Sequence, residues 1–170
     1  MKDLQETNSN NRLPKQEITE KFYSIELFTD KDQEEVKQLG LEVSKEIGQI
    51  YNPKLDYDWE HIKEVYIDSG GIFYVVKSSG KIIGCAGVKN INDIVAEFKR
   101  ARVLKEFRGK GIGRDLFEKR LNFALANNFK KIILDTTDLA VQHLCEENRF
   151  QKIKQRGNIV YYEKVLKDNK

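Results

Sequence analysis

Arg108-Gly109-Lys110-Gly111-Ile112-Gly113 joins a strand-like run, Ile94 to Val103, to an amphipathic helical run, Asp115 to Asn127. Three glycines at alternate positions strip side chains from a turn that feeds a helix N-terminus. The first N–H groups of a helix have no partner within it. With the helix dipole they form an anion site. Arg108, Lys110 and Arg114 add positive charge around it. The segment is built to hold a phosphate-bearing ligand by its backbone.

Two familiar phosphate loops fit poorly. A Walker loop needs four residues between its glycines and then Gly-Lys-Ser/Thr, with the hydroxyl serving magnesium. Here the spacing is absent and Arg114 stands where a hydroxyl is wanted. A dinucleotide fingerprint needs Gly-x-Gly-x-x-Gly. Here the third glycine comes one residue early, although Asp135 ends the next strand about 20 residues on, where such folds place a ribose-binding acid. A nucleotide-binding domain therefore stays open as a reading. So does a glycine-rich turn that binds nothing.

Outward from the loop, alternation and turn residues set the elements. Phe22 to Phe28 alternates, with Tyr23, Ile25 and Leu27 on the core side of a strand. Thr29 or Asp30 caps a helix to about Ile50, with the stripe Val36, Leu39, Val43, Ile47 and Ile50. A second helix is expected from Asp58, with Trp59, Ile62, Val65 and Tyr66 inward. Ile72 to Val76, Lys81 to Val88 and Ile94 to Val103 read as a three-stranded meander. The helix after the glycines buries Leu116, Phe117, Leu121, Ala124 and Leu125, and Asn127-Asn128 suits a left-handed C-cap. Lys131 to Leu134 is a buried strand, Asp138 caps a short helix to about Asn148, and Phe150 to Val165 closes with a hairpin around Arg156-Gly157-Asn158. The order β-α-α-β-β-β-α-β-α-β-β predicts a mixed α/β layer architecture. Residues 1 to 20 are polar and are expected to form a flexible arm, leaving 21 to 170 as a single domain.

Composition narrows the function classes. The chain has 170 residues, 39% hydrophobic and 34% charged, with a net charge of +3. That balance lacks the basic stripe of a nucleic-acid binder. Cys85 and Cys145 have no metal-ligand spacing and are too few for a disulfide framework, which fits a reducing compartment. No apolar run approaches the ~20 residues of a membrane span. A cytoplasmic protein is expected, with no metal and neither nucleic acid nor membrane as a partner.

Ala96-Glu97-Phe98-Lys99-Arg100-Ala101-Arg102-Val103, followed by Glu106-Phe107-Arg108-Gly109-Lys110-Gly111-Ile112-Gly113, resembles motif A of the GCN5-related N-acetyltransferase (GNAT) family. The family pattern Arg/Gln-x-x-Gly-x-Gly/Ala is filled by Arg108, Gly111 and Gly113. Phe73 to Val88, Lys131 to Asp135, Arg149-Phe150 and Glu163 to Leu166 resemble the family's remaining strands, so the likeness runs from about 22 to 166. It implies a central, mostly antiparallel twisted sheet of about seven strands with four helices, opened between the fourth and fifth strands to take acetyl-CoA. The backbone of Arg108, Gly109, Lys110, Gly111, Ile112 and Gly113 would hold the pyrophosphate, with Arg114 nearby, and Val103 would offer its backbone to the pantetheine.

The implied chemistry is direct acetyl transfer to a primary amine of a small molecule or peptide. A lysine-like amine has a pKa near ~10.4, so a base must take its proton. Glu97 is the candidate base: the family's histone-acetyltransferase branch has its glutamate in the same Ala-Glu-hydrophobic context. Six residues before Val103, it is expected on Val103's face of the strand. A solvated carboxylate paired with Lys99 or Arg100 is the plain alternative. Many members have a tyrosine acid in the helix before the final hairpin. Counting back from Arg149-Phe150, that position is Cys145, a candidate acid or a small core residue. The acidic Asp56, Asp58 and Glu60 either steer a cationic amine or merely cap a helix. A non-catalytic acyl-CoA sensor of the same fold stays open, as does a homodimer.

Overall fold

The computed structural model describes residues 20–167. The arm expected over residues 1 to 20 lies outside them except for Glu20. A seven-stranded sheet runs β1-β2-β3-β4-β5-β7-β6, with β1 Ser24–Leu27, β2 Ile72–Ser78, β3 Lys81–Asn90, β4 Val95–Val103, β5 Lys131–Thr136, β6 Gln151–Arg156 and β7 Ile159–Val165. Every neighbouring pair is antiparallel except β4 and β5. The element order predicts the mixed α/β layers, and the family resemblance implies the mostly antiparallel sheet of about seven strands; both are observed.

Among the described residues, three α-helices and one π-helical turn complete the layers. α1, Gln33–Glu46, and the turn Lys63–Ile67 cover one face. There Val36, Leu39, Trp59, Ile62 and Tyr66 pack on Phe73, Val75 and Cys85. α2, Ile112–Ala126, and α3, Leu139–Glu147, cover the other. There Phe117, Ala124 and Leu144 pack on Val88, Phe98, Ile132 and Leu134. Burying these side chains from both faces is the main stabilising term of such a fold. No helix among the described residues is long and apolar enough to cross a membrane.

Several local expectations hold. Asp138 caps α3, its Oδ1 accepting from the Ala140 N–H at 2.8 Å. Asn128 adopts φ 60° just after α2, as a left-handed C-cap requires. Others are corrected. α1 stops at Glu46 rather than Ile50, because Gly48 at φ 76° donates back to the Lys45 carbonyl and turns the chain. Ile50 is left 92% exposed. The helix expected from Asp58 is a 3-10 turn, Tyr57–Trp59, followed by the π-helical turn. Asp58 caps neither, since its carboxylate is claimed by Arg100 of β4 and by the Tyr66 hydroxyl. Leu27 is exposed and Phe28 is buried in its place, because β1 is an edge strand that ends at Leu27.

Candidate active site

β4 and β5 pair only through Val95, Ala96 and Glu97 with Lys131, Ile132 and Ile133. Beyond that point no pairing joins them, so the sheet opens from Phe98 and Leu134 onward. An opening at the C-terminal ends of parallel strands is where an α/β sheet takes a ligand. The chain leaving β4 passes a short 3-10 turn, Lys105–Phe107, and enters α2 through the glycine loop.

Gly109 and Gly111 hold φ 73° and 86°, the left-handed region that favours glycine. Gly111 is the N-cap residue of α2, and no side chain caps that helix. A Cβ added at Gly109, Gly111 or Gly113 would meet nothing within 4 Å. Gly113 is the telling case. Neither its backbone conformation nor its packing requires glycine, so the missing side chain leaves room above the helix N-terminus. The expected positive charge around the loop is largely spent within the fold. Arg108 forks onto Glu46 at 2.6 and 2.9 Å, and its Nε donates to the Val103 carbonyl at 2.8 Å. Arg114 binds Glu147 at 2.6 Å. Lys110 sits over the Phe22 and Phe107 rings, 5.4 Å from each centroid. The loop's readiest anion donors are therefore its backbone N–H groups.

A bulge reorders β4. Cys85 opposes Arg102 and Gly87 opposes Lys99, so β4 carries one more residue than β3 between these pairs. Arg100 takes up the excess at φ 56°, a left-handed conformation costly for a non-glycine residue. Opposed residues share a face. Ala96, Phe98 and Val103 oppose Asn90, Val88 and Gly84, whereas Glu97, Lys99 and Arg102 oppose Lys89, Gly87 and Cys85. Glu97 therefore lies on the α1 face with Arg102, and Val103 on the α2 face. The six-residue spacing that put Glu97 and Val103 on one face is overturned by the bulge.

Arg100 is held in place by the segment before the π-helical turn. Its Nε and Nη2 donate to Asp58 at 2.8 and 2.5 Å, and Nη2 also reaches Asp56 at 3.1 Å and the Leu55 carbonyl at 3.0 Å. Its guanidinium covers the Trp59 ring at 4.9 Å, and the Tyr66 hydroxyl donates to Asp58 at 2.6 Å. Asp56 and Asp58 are thus engaged within the fold. The bulge, this network and the buried Arg120 of α2 were missed from sequence. Arg120 alone carried a signal: it falls on the Leu116, Arg120, Ala124 line of the buried stripe.

Glu97 keeps a side-chain exposure of 20% beside Lys99 at 3.6 Å, so the pairing weighed above is present and the carboxylate is still reachable. Cys145 is 0% exposed in the α2-face core. Burial pushes its thiol up to about 12, against the lowering effect of Arg120. That environment is the packing role rather than that of an acid at an open site. A separate groove of about 630 Å³ between β1, β2 and α2 is lined by Lys21, Tyr23, Tyr74, Asp115 and Phe123. It includes neither Glu97 nor any glycine of the loop.

Residues 25–149 match the model of the Acetyltransferase (GNAT) family. The chain belongs to the GNAT acetyltransferase family. It is 34% identical over 100 residues to an N-acetylaspartate synthetase of Xenopus tropicalis, covering 56% of this chain and 37% of that protein. The chain thus spans little more than a third of that relative's length. A GNAT-family acetyltransferase of Staphylococcus aureus has the same fold, with a TM-score of 0.76 and 23% identity over 85% of this chain and 99% of that one. A GNAT acetyltransferase of Elizabethkingia anophelis with acetyl-CoA bound superposes with a TM-score of 0.60 and 17% identity over 86% of this chain and 100% of that one.

Proposed function

We propose that this GNAT protein moves an acetyl group from acetyl-CoA to a primary amine of a small molecule or peptide by direct transfer. The observation that carries the reading is Gly113, a glycine required by neither conformation nor packing, at an uncapped helix N-terminus beside the opening of β4 from β5. The residues present fit the CoA group. Backbone N–H groups from Arg108 to Gly113 would hold the pyrophosphate, with Arg114 nearby, and the Val103 backbone would meet the pantetheine. Acetyl-CoA supplies an activated acyl group on a thiol leaving group.

Glu97 then has one task, to accept the proton that the attacking amine must lose. It stands at the last β4–β5 pair, where the opening begins, and typical general-base catalysis contributes ~10²–10⁴ in rate. The buried Cys145 favours a second reading, an acyl-CoA sensor without turnover. The decisive experiment follows thiol release from acetyl-CoA across an amine panel that includes aspartate, the acceptor suggested by the relatives' name. Thiol release with matching acetylated product supports the enzyme. CoA binding without release under any amine supports the sensor. Stabilisation by ATP or NAD and not by CoA overturns both.

A further inference from the structure

Arg120 is a charged side chain set into the core on the α2 face of the sheet. It is 3% exposed and forms no ion pair among the described residues. Its Nε donates to the Leu116 carbonyl of its own helix at 3.2 Å. The guanidinium otherwise lies over two aromatic faces, 4.6 Å from the Phe98 centroid and 5.7 Å from that of Phe117. The titratable groups that act on it electrostatically are Cys145 of α3, on its own side of the sheet, and Cys85 of β3 and Tyr66 of the π-helical turn, across the sheet, all of them neutral at neutral pH in their ordinary states. A buried cation without a carboxylate is a liability to the fold, so its position calls for a reason outside folding.

That position is the apex of the opening. Phe98 and Leu134 are the first residues past the last β4–β5 pair. Both belong to the same buried cluster as Cys145, and Arg120 caps the Phe98 ring. A ligand whose pyrophosphate lies on the glycine loop and whose acyl end points towards Glu97 brings its sulfur to this apex.

The chemistry needs a charge there. In direct transfer the amine nitrogen bonds to the carbonyl carbon and the amine proton passes to Glu97. The carbon–sulfur bond breaks with its electron pair on sulfur. Sulfur therefore departs as an anion unless an acid is at hand. Cys145, whose thiol is pushed up to about 12, cannot readily protonate the conjugate base of an ordinary thiol of pKa near ~8.5. We propose that Arg120 is a catalytic residue of this GNAT site, whose guanidinium neutralises the departing CoA thiolate without giving up its own proton. Burial lowers the guanidinium to about 10, which still leaves it cationic at neutral pH.

The proposal rests on the acetyltransferase reading, and its test separates the two. Thiolate absorbance of CoA bound to the full chain is followed against pH, with no acceptor and no turnover. The bound thiol of the wild type should titrate about one unit or more below free CoA. Arg120→Met should abolish that shift and Arg120→Lys should restore part of it. In the turnover assay, Arg120→Met should lower kcat about tenfold or more with KM for acetyl-CoA little changed. The ligand-free Arg120→Met variant should unfold at the wild-type temperature or above, because a buried unpaired charge has been removed. Bound CoA with an unshifted thiol in the wild type overturns the Arg120 role and leaves the acetyl-CoA reading standing. Loss of stability in Arg120→Met with kcat and the thiol titration unchanged makes Arg120 a packing residue and overturns the proposal. A wild-type protein that binds no CoA overturns both.

Discussion

The opening between β4 and β5 holds its charge differently at its two ends. At the loop end the cations are exposed and already matched, Arg108 with Glu46 and Arg114 with Glu147. The groups left for a ligand there are backbone N–H donors. At the apex the cations are buried. Arg100 is tied to Asp58 and Asp56, and Arg120 to no carboxylate among the described residues. Exposed pairs are screened and contribute little to folding, so the loop end can exchange partners with a ligand cheaply. Buried charges are fixed to the architecture, and removing one partner of a buried pair typically costs ~3–5 kcal/mol. Changes at the apex should therefore disturb turnover or folding, and changes at the loop end should disturb ligand affinity alone.

The largest expected effect is at the apex. Glu97→Gln should lower kcat about 10²-fold or more while calorimetric CoA affinity stays at the wild-type value. Wild-type turnover in this variant would take Glu97 out of the chemistry and leave the apex with a purely structural carboxylate.

Next comes the Arg100 anchor. Asp58→Asn should reduce unfolding free energy by about 2 kcal/mol in urea titration, since it takes the two-point carboxylate partner from a buried guanidinium and leaves it Asp56 and the Leu55 carbonyl. The pH dependence has a defined sign. Burial works to raise the Asp58 carboxyl, but the Arg100 guanidinium and then the Tyr66 hydroxyl hold it below its usual value. A depressed carboxyl stabilises the fold above its unfolded pKa near ~3.9, and that contribution is lost as pH falls through the lower folded value. The wild type should lose this contribution below about pH 4, and Asp58→Asn should show a shallower acid limb. Equal acid limbs would mean that the anchor does not stabilise the fold.

At the loop end Gly113→Leu separates folding from binding. Leucine is a better helix former than glycine and its Cβ would meet nothing within 4 Å, so thermal unfolding should not worsen. CoA affinity should nevertheless fall about tenfold or more, a loss of ~1.4 kcal/mol, because the side chain fills the space above the helix N-terminus. Tight binding retained in this variant would show that the loop is not the phosphate cradle.

The contrast between the two ends also explains what could be read from sequence. The loop was legible because its property lies in the backbone, and glycines at 109, 111 and 113 announce that backbone directly. Asp138 as a cap and Asn128 as a left-handed residue were legible for the same local reason. The apex was not. Nothing in Val95-Ala96-Glu97-Phe98-Lys99-Arg100-Ala101-Arg102-Val103 marks Arg100 as an extra residue, because the bulge is defined against β3. The place of Glu97 on the strand could be read, but its face could not. Asp58 looked like a helix cap because its partner, Arg100, lies 42 residues away. Cys145 could be placed by counting, while its burial depends on α2 and β4 packing around it.

The smallest effect concerns Arg114, which is half exposed and bound to Glu147 at 2.6 Å. The carboxylate holds the guanidinium above its ordinary value through that hydrogen bond, yet a pair in water contributes little to the fold. Neither Arg114→Gln nor Glu147→Gln should move the melting temperature measurably at moderate salt. Their effects on CoA should be opposite in sign. Arg114→Gln removes a cation beside the first turn of α2, so affinity should fall slightly, and less at high salt. Glu147→Gln frees the same cation from its competitor, so affinity should rise slightly. Opposite shifts measured by calorimetry would show that Arg114 changes partner when the ligand arrives. Two unshifted affinities would leave the holding of phosphate to the bare backbone of the loop, and the division between an exchangeable end and a fixed end would then rest on the glycines alone.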